Sequence, residues 1–243
     1  MTPSLQDAKV CFVGGGNMAA AIIGGLLAKN ISKQNIYVSE PWEVNRNKMA
    51  ETGVKTTADT KEASADADIV ILAVKPQVAK TVCEELGAAW SDRESLPVVI
   101  SIAAGITLTS IAEWFKQSSG RAPHIVRVMP NTPALVGEGA SGLKATEWVE
   151  KEELLDVVTG LSVPPASVFL EEQATRLAKQ TCFGAGKMLV ESSEEPAQLR
   201  KNVTSPNGTT HAALVSFENS GLKAIVDGAV KAATSRAEEL GKN

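Results

Sequence analysis

The stretch Val10-Cys11-Phe12-Val13-Gly14-Gly15-Gly16-Asn17-Met18-Ala19 decides how this chain folds. Val10–Val13 is a short apolar run that reads as a buried strand, and the apolar run Ala19–Ala28 reads as a helix. Between them Gly14, Gly16 and Ala19 stand at the spacing G-x-G-x-x-A. Each small residue has a physical task. Gly14 permits the tight turn from strand into helix, Gly16 leaves the backbone open to a pyrophosphate, and Ala19 lets the helix lie close to the sheet. The helix N-terminus then offers N–H groups and a partial positive charge to the anion. A glycine motif alone is weak, and its bland alternative is an ordinary Gly-rich turn. The strand before it and the helix after it supply the context that a phosphate-binding turn requires.

Working outward, strands and helices alternate up to about Ala145. Asn35–Ser39 reads as a second strand, Trp42–Thr52 as its helix and Val54–Thr57 as a short third strand. Asp68–Val74 reads as a buried strand ended by Lys75-Pro76, and Pro97–Ile102 and His124–Val128 are two more. Thr107–Gln117 has a helical period with Thr107 as its cap. This order predicts an α/β fold, a doubly wound, mainly parallel sheet with helices on both faces. Ligands in such sheets lie beyond the carboxyl ends of the strands. The loops that matter are then Gly14–Ala19, Ser39–Pro41, Ala73–Gln77, Ile102–Gly105 and Met129–Pro133.

After Ala145 strand signals nearly vanish. Glu147–Val158, Glu171–Val190, Pro196–Val203, Thr209–Asn219 and Leu222–Leu240 read as helices, interrupted by Gly160–Pro165 and Thr204–Gly208. The expected domains are 1–151, which binds the ligand at the strand ends, and an all-helical 152–243. So small a helical region, apolar on several helices, calls for packing against a partner subunit.

A net charge of −4 and the lack of a clustered basic patch argue against a nucleic-acid partner. Cys11, Cys83 and Cys182 lie too far apart for a disulfide framework or a zinc site, and two histidines are too few for a His-rich metal centre. No metal is expected. Residues 1–9 lack the pattern of an export signal. The longest apolar stretch, Met18–Ala28, is too short to cross a bilayer and contains Gly24 and Gly25. The cytoplasm is the expected compartment, with no membrane partner.

Taken as a set, the strand ends point further. They are Gly14-Gly15-Gly16-Asn17-Met18-Ala19, Ala73-Val74-Lys75-Pro76-Gln77, Ser101-Ile102-Ala103-Ala104-Gly105 and Arg127-Val128-Met129-Pro130-Asn131-Thr132-Pro133. Further on come Asp156-Val157-Val158-Thr159-Gly160-Leu161-Ser162 and Thr204-Ser205-Pro206-Asn207-Gly208-Thr209-Thr210. In this order they resemble the pyrroline-5-carboxylate reductases, from about Lys9 to Leu240. The Met-Pro-Asn-Thr-Pro and Thr-Ser-Pro-x-Gly-Thr-Thr segments are the specific ones. The resemblance implies a Rossmann-type N-terminal domain, a helical dimerisation domain and a homodimer that often assembles further. It also implies reduction of Δ1-pyrroline-5-carboxylate to proline with NADPH, NADH being the possible alternative.

It implies site residues too. The cofactor would meet the glycine loop, Ser39 at the ribose 2′ position, Thr60, Ala73 to Pro76, Ile102, Ala103, Ala104 and Asn202. Glu40 would be turned past the ribose, and Arg46, which lies nearby on a helix, equally suits a solvated position. Ser205, Asn207, Gly208, Thr209 and Thr210 would hold the substrate carboxylate, although the same atoms suit simple helix capping. Thr159 and Thr210 would place hydroxyls near the ring nitrogen. A protonated cyclic imine is already a strong hydride acceptor, so catalysis would be mostly positioning. Lys75 reads as a crevice contact without a chemical role, Arg127 as a carboxylate partner or a structural ion pair, and His211 as a non-catalytic neighbour.

The chain departs from the family pattern in three places. The connection between Glu147–Glu153 and Asp156 is short, Ser162 is followed by Val163-Pro164-Pro165-Ala166-Ser167 in place of a Gly-Ser-Gly-Pro-Ala-Tyr segment, and most of a helix is missing between Leu170 and Glu171. Two other readings stay open on this account: a non-catalytic NADP(H)-binding relic, and a reductase of a related imine or keto acid.

Overall fold

The computed structural model describes residues 6–139, 141–146, 165–166 and 171–240. The chain divides into two compact units, Met1–Val190 and Glu191–Asn243. In the first, eight strands form one sheet: β1 (Val10–Val13), β2 (Ile36–Ser39), β3 (Lys55–Thr57), β4 (Ile69–Leu72), β5 (Val98–Ser101), β6 (Ile125–Met129), β7 (Ser141–Ala145) and β8 (Pro165–Ala166). Their order is β3-β2-β1-β4-β5-β6-β7-β8. Pairings from β3 through β6 are parallel, β7 runs antiparallel to β6, and β8 is parallel to β7. The chain winds from β1 to β2 and β3 on one side, then returns to β4 on the other. The carboxyl end of β1 is thus the switch point, where such sheets open a ligand crevice.

Among the described residues the helices of this unit are α1 (Asn17–Ala28), α2 (Glu43–Glu51), α3 (Thr60–Ser64), α4 (Pro76–Ala89), α5 (Leu108–Ser119) and α6 (Glu171–Glu191). Strand β1 shows why both sheet faces are apolar. Val10 and Phe12 pack on one face with Ile22, Ile23 and Leu26 of α1. Cys11 and Val13 face the other way, with Leu86, Trp90, Ile111 and Phe115. A strand covered on both faces reads as a continuous apolar run, not as an alternation. Trp90 and Phe115 stack with ring centroids 5.6 Å apart and planes at 8°, which ties α5 to the end of α4.

The doubly wound, mainly parallel sheet expected from the sequence is the one observed. The six parallel strands match their expected positions within one or two residues. Strands β7 and β8 were not expected, and β8 falls within the segment read as all-helical, because both form by pairing at the sheet edge and not from a local strand signal. Helix α1 starts at Asn17, ahead of its apolar run, because Gly16 supplies the extended N-cap. Thr107 caps α5 as expected, its hydroxyl accepting from the Ser110 amide at 3.1 Å. Strand β4 ends at Leu72, ahead of Lys75-Pro76, and Pro76 instead opens α4 at its first turn, where a missing N–H costs no helical bond. The expected helix Glu147–Val158 lies outside the described residues.

The second unit holds α7 (Pro196–Asn202), α8 (Thr209–Asn219) and α9 (Leu222–Leu240). No residue from 191 to 240 is buried. Among the described residues, no helix is long and apolar enough to cross a membrane.

Burial sets the chemistry of two thiols. Desolvation pushes Cys11 up to about 12, and it pushes Cys83, beside Glu84, up to about 12 as well. Both should stay unlabelled by a thiol reagent in the folded protein at pH 8 and label on unfolding. The unfolded thiols ionise near 9.0 while the folded ones do not. Their contribution to stability is therefore complete below pH 9 and is lost as pH rises towards 12. Denaturation midpoints should fall as pH rises from about 9 towards 12, and fall less in Cys83→Ala.

Candidate functional site

The site begins with a backbone crossing. Gly14 has φ +102°, and a Cβ there would lie 2.6 Å from the Ala73 carbonyl oxygen. Glycine is needed on both counts. The Gly14 amide donates to the Ser39 carbonyl at 2.8 Å, and the Ala73 amide donates to the Val13 carbonyl at 2.9 Å. The loop is therefore pinned over the ends of β2 and β4. Gly15 is held closely as well, since a Cβ would come 3.1 Å from Met49 and 3.2 Å from Glu40. Gly16 differs: a Cβ there would meet nothing within 4 Å. It is the N-cap of α1, and no side chain caps the first-turn amides. Ala19 is buried where α1 meets the sheet, while Asn17 is exposed and Met18 half-buried. An uncapped helix start behind a backbone open to solvent suits a pyrophosphate.

The end of β2 carries two side chains with different tasks. Ser39 is 1% exposed, and its hydroxyl pairs with that of Thr60 at 2.7 Å. Glu40 is 8% exposed. One carboxylate oxygen accepts from the Gly15 amide at 2.7 Å and the other from the Trp42 amide at 2.9 Å. Arg46 donates from Nη1 to the carbonyls of Glu40 and Pro41 at 2.9 and 3.0 Å.

The remaining strand ends line up beside these. Val74 is half-buried and Lys75 exposed, the latter at the N-cap of α4 just before Pro76. Beyond β5, Ile102 is half-buried, Ala103 is 3% exposed with its amide turned to the Ser101 hydroxyl, and Ala104 is exposed. Among the described residues no carboxylate pairs with Arg127.

One network carries no motif that sequence reasoning uses. The Gln180 amide on α6 donates to the Glu138 carbonyl at 3.2 Å and to its carboxylate at 3.0 Å. Lys187, two turns on, donates to the Val136 carbonyl at 3.0 Å and pairs with Glu138 at 3.3 Å. Gly184 lies between them, and a Cβ there would collide with Pro133 and the Glu138 carbonyl. The Asn131 amide reaches the Thr181 hydroxyl at 3.4 Å. One face of α6 thus holds the loop that follows β6. The signal in the sequence is the spacing of Gln180, Gly184 and Lys187 along one helical face.

In the second unit, Ser205-Pro206-Asn207-Gly208 forms a turn closed by the Gly208 amide on the Ser205 carbonyl at 3.0 Å. Proline second and Asn207 third, with φ +58°, is the type II pattern. Gly208 is the N-cap of α8, and no side chain caps that helix. The hydroxyls of Ser205, Thr209 and Thr210 are therefore not its caps. Asn202 accepts from Gln198 at 2.7 Å and donates to Glu194 at 2.8 Å. His211 is exposed. Thr159 lies outside the described residues. Among the described residues no cluster of His, Cys, Asp or Glu forms a metal site.

A glycine loop at the switch point of a doubly wound sheet defines a Rossmann-type dinucleotide-binding protein. Comparison with known proteins narrows the class. Residues 166–240 match the family described as pyrroline-5-carboxylate reductase dimerisation, and residues 9–105 match that described as NADP oxidoreductase coenzyme F420-dependent. A pyrroline-5-carboxylate reductase of Pseudomonas aeruginosa is 39% identical over 97% of this chain and 98% of its own length. That of Pasteurella multocida is 38% identical over 98% and 99%. Among solved structures, a pyrroline-5-carboxylate reductase of Coxiella burnetii is 34% identical, covers 96% of this chain and 98% of its own, and has a TM-score of 0.60. The chain belongs to the pyrroline-5-carboxylate reductase family. The Pseudomonas alignment runs over 274 positions, more than the 243 residues present here. This chain therefore lacks internal residues that the relative has.

Replacing Lys187 by Met removes the donor to Val136 and the partner of Glu138 while keeping an apolar stem. The pair is about 30% exposed, so screening limits its worth. A loss of about 1 kcal/mol in denaturant stability is expected, and Lys187→Arg should lose less.

Proposed function

We propose that this protein is an NADPH-dependent pyrroline-5-carboxylate reductase, reducing the ring imine of Δ1-pyrroline-5-carboxylate to give L-proline. The observation that carries this reading is the end-to-end identity with curated reductases, joined to a glycine loop whose geometry suits a pyrophosphate. The match of residues 9–105 to an NADP oxidoreductase family favours NADPH, and NADH remains the second substrate to assay.

NADPH, when bound, supplies the hydride. The chain's own residues bind and orient. Gly14, Gly15, Gly16, Asn17, Met18 and Ala19 present backbone amides and a helix start to the pyrophosphate. Ser39 and Thr60 lie toward the ribose. Ala73, Val74, Lys75 and Pro76, with Ile102, Ala103 and Ala104, form the strand-end walls. The open start of α8, with Ser205, Asn207, Gly208, Thr209 and Thr210, holds the substrate carboxylate. The hydroxyls of Thr159 and Thr210 orient the ring nitrogen and need not be strong acids. Residues 1–151 act as the cofactor domain and 152–243 as the substrate and dimerisation domain. Helix α6 belongs to the first compact unit and also to the family's dimerisation segment. The working form is a homodimer or larger homo-oligomer in the cytoplasm, with no nucleic-acid or membrane partner.

Two variants test the two halves. Gly16→Val places a branched side chain where the pyrophosphate belongs. NADPH binding, followed by nucleotide fluorescence, should be abolished; unchanged affinity would refute the pyrophosphate site. Thr210→Val keeps the shape and removes the hydroxyl, a change that typically costs about 1–3 kcal/mol when a polar partner is left unpaired. Its kcat/KM for Δ1-pyrroline-5-carboxylate should fall, with NADPH affinity unchanged. Equal efficiency would reduce the Ser205–Thr210 loop to a helix start without a ligand. NADPH binding without any wild-type turnover would overturn the reductase reading in favour of a relic.

A further inference from the structure

The acid at the end of the second strand of a Rossmann-type sheet ordinarily reads the ribose, accepting from its 2′-hydroxyl and so favouring NADH. Glu40 stands at that place and is otherwise occupied. It is 8% exposed, and its two carboxylate oxygens are engaged by the amides of Gly15 and Trp42. Charge-assisted bonds of this kind are among the stronger ones a buried carboxylate makes. One of them is made to the middle glycine of the phosphate-binding loop, so the carboxylate sets the height of that loop above β2. Arg46 sits over the same turn. Its Nη1 is anchored on the carbonyls of Glu40 and Pro41. Among the described residues its Nη2 and Nε donors have no protein partner, and no carboxylate pairs with it. A planar guanidinium has five N–H donors, and here one nitrogen fixes the plane while the other edge remains to meet an anion. The fork geometry suits a phosphate.

We propose that Glu40 is a positioning residue for the glycine loop and does not read the ribose, and that the Arg46 guanidinium is the element that distinguishes a 2′-phosphate from a 2′-hydroxyl. This rests on the proposed use of NADPH. It assigns selectivity within that reading to one anchored cation, and it accounts for an acidic strand end in a chain that uses the phosphorylated nucleotide. The hydroxyl pair of Ser39 and Thr60, 2.7 Å apart, then forms the neutral floor beneath the phosphate.

The experiment uses 2′,5′-ADP and 5′-AMP as probes, titrated by calorimetry into the full-length protein. Wild type should bind 2′,5′-ADP more tightly than 5′-AMP. Arg46→Met should weaken 2′,5′-ADP about tenfold or more, the size of one lost charge-assisted hydrogen bond, and leave 5′-AMP unchanged. Arg46→Lys, which keeps the charge and loses the fork, should fall between the two. Glu40→Gln should weaken NADPH and NADH by the same factor, since it loosens a loop both share. Equal loss of both probes in Arg46→Met would make the arginine a turn clamp only and overturn the assignment. A shift of Glu40→Gln toward 2′,5′-ADP would return the ribose to Glu40 and overturn it as well. If wild type binds neither probe nor NADPH, the cofactor reading itself fails, and this assignment with it.

Discussion

Everything at the strand ends depends on the crossing of the Gly14 backbone over Ala73. At that point β1 must stop, turn and start α1 within three residues, while β4 ends alongside. A side chain at Gly14 would have to pass through the Ala73 peptide. The amide of Gly14 is already committed to Ser39, so the turn has no freedom to rise away. The consequence is that α1 begins directly behind β1, its first turn aimed at the space above the sheet. Its axis is kept close by Ala19 beneath it. A ligand placed there meets amides whose positions the core of the sheet has fixed. That is the kind of preorganisation which binding through backbone groups requires.

The side chains at the strand-end loops serve mostly to hold peptide groups. Glu40 binds two amides, Arg46 two carbonyls, and Lys187 with Gln180 the carbonyls of Val136 and Glu138. A reaction that moves a hydride to an already electrophilic carbon asks for this kind of equipment. It needs two reactants held in register, and gains little from a residue tuned as a strong acid or base. Among the described residues, strongly shifted titrations lie away from the strand ends. Tyr37 is pushed up to about 12 by its hydrogen bond to Glu62 and by burial, and it sits on β2 ahead of Ser39. The two raised thiols belong to the core beneath the sheet.

How much of this was legible in the sequence follows from the range of the forces involved. Strands β1 and β4 were plain because both faces are covered, which leaves unbroken apolar runs. Helices α8 and α9 were found with their observed bounds, since glycines at 208 and 221 punctuate them. Helix α4 was obscured because Pro76 reads as a stop when it is a start. Strand β7, Ser-Gly-Leu-Lys-Ala, has no β-branched residue and owes its conformation to pairing with β6, a long-range interaction that no local window contains. The motif residues of the glycine loop were readable, and so was the nearness of Glu40. That Glu40 turns past the ribose was implied by the family resemblance; what it turns back to hold, the Gly15 and Trp42 amides, was not readable. Whether a carboxylate faces a ribose or turns back on Gly15 depends on a side-chain torsion and on a loop twenty-five residues earlier. The α6 clamp was hidden in the same way, its partners lying some fifty residues apart.

The second unit poses the opposite problem, of surface without a core. Phe217, Ile225, Val226 and Val230 are each more than half exposed, and no residue from 191 to 240 is buried. A helical segment gains most of its stability by burying an amphipathic face, since propensity alone is marginal at these lengths. Helices α8 and α9 bring apolar side chains but keep them in water. Exposed apolar groups at this density mark an interface more than a solvated face. Since the stretch falls in the family's dimerisation segment, the cover that suits it is a second copy of the same segment. Two such units would each supply what the other lacks. Oligomer and fold would then be one problem for the C-terminal half, whereas the sheet carries its own core on both faces and depends on no partner for it.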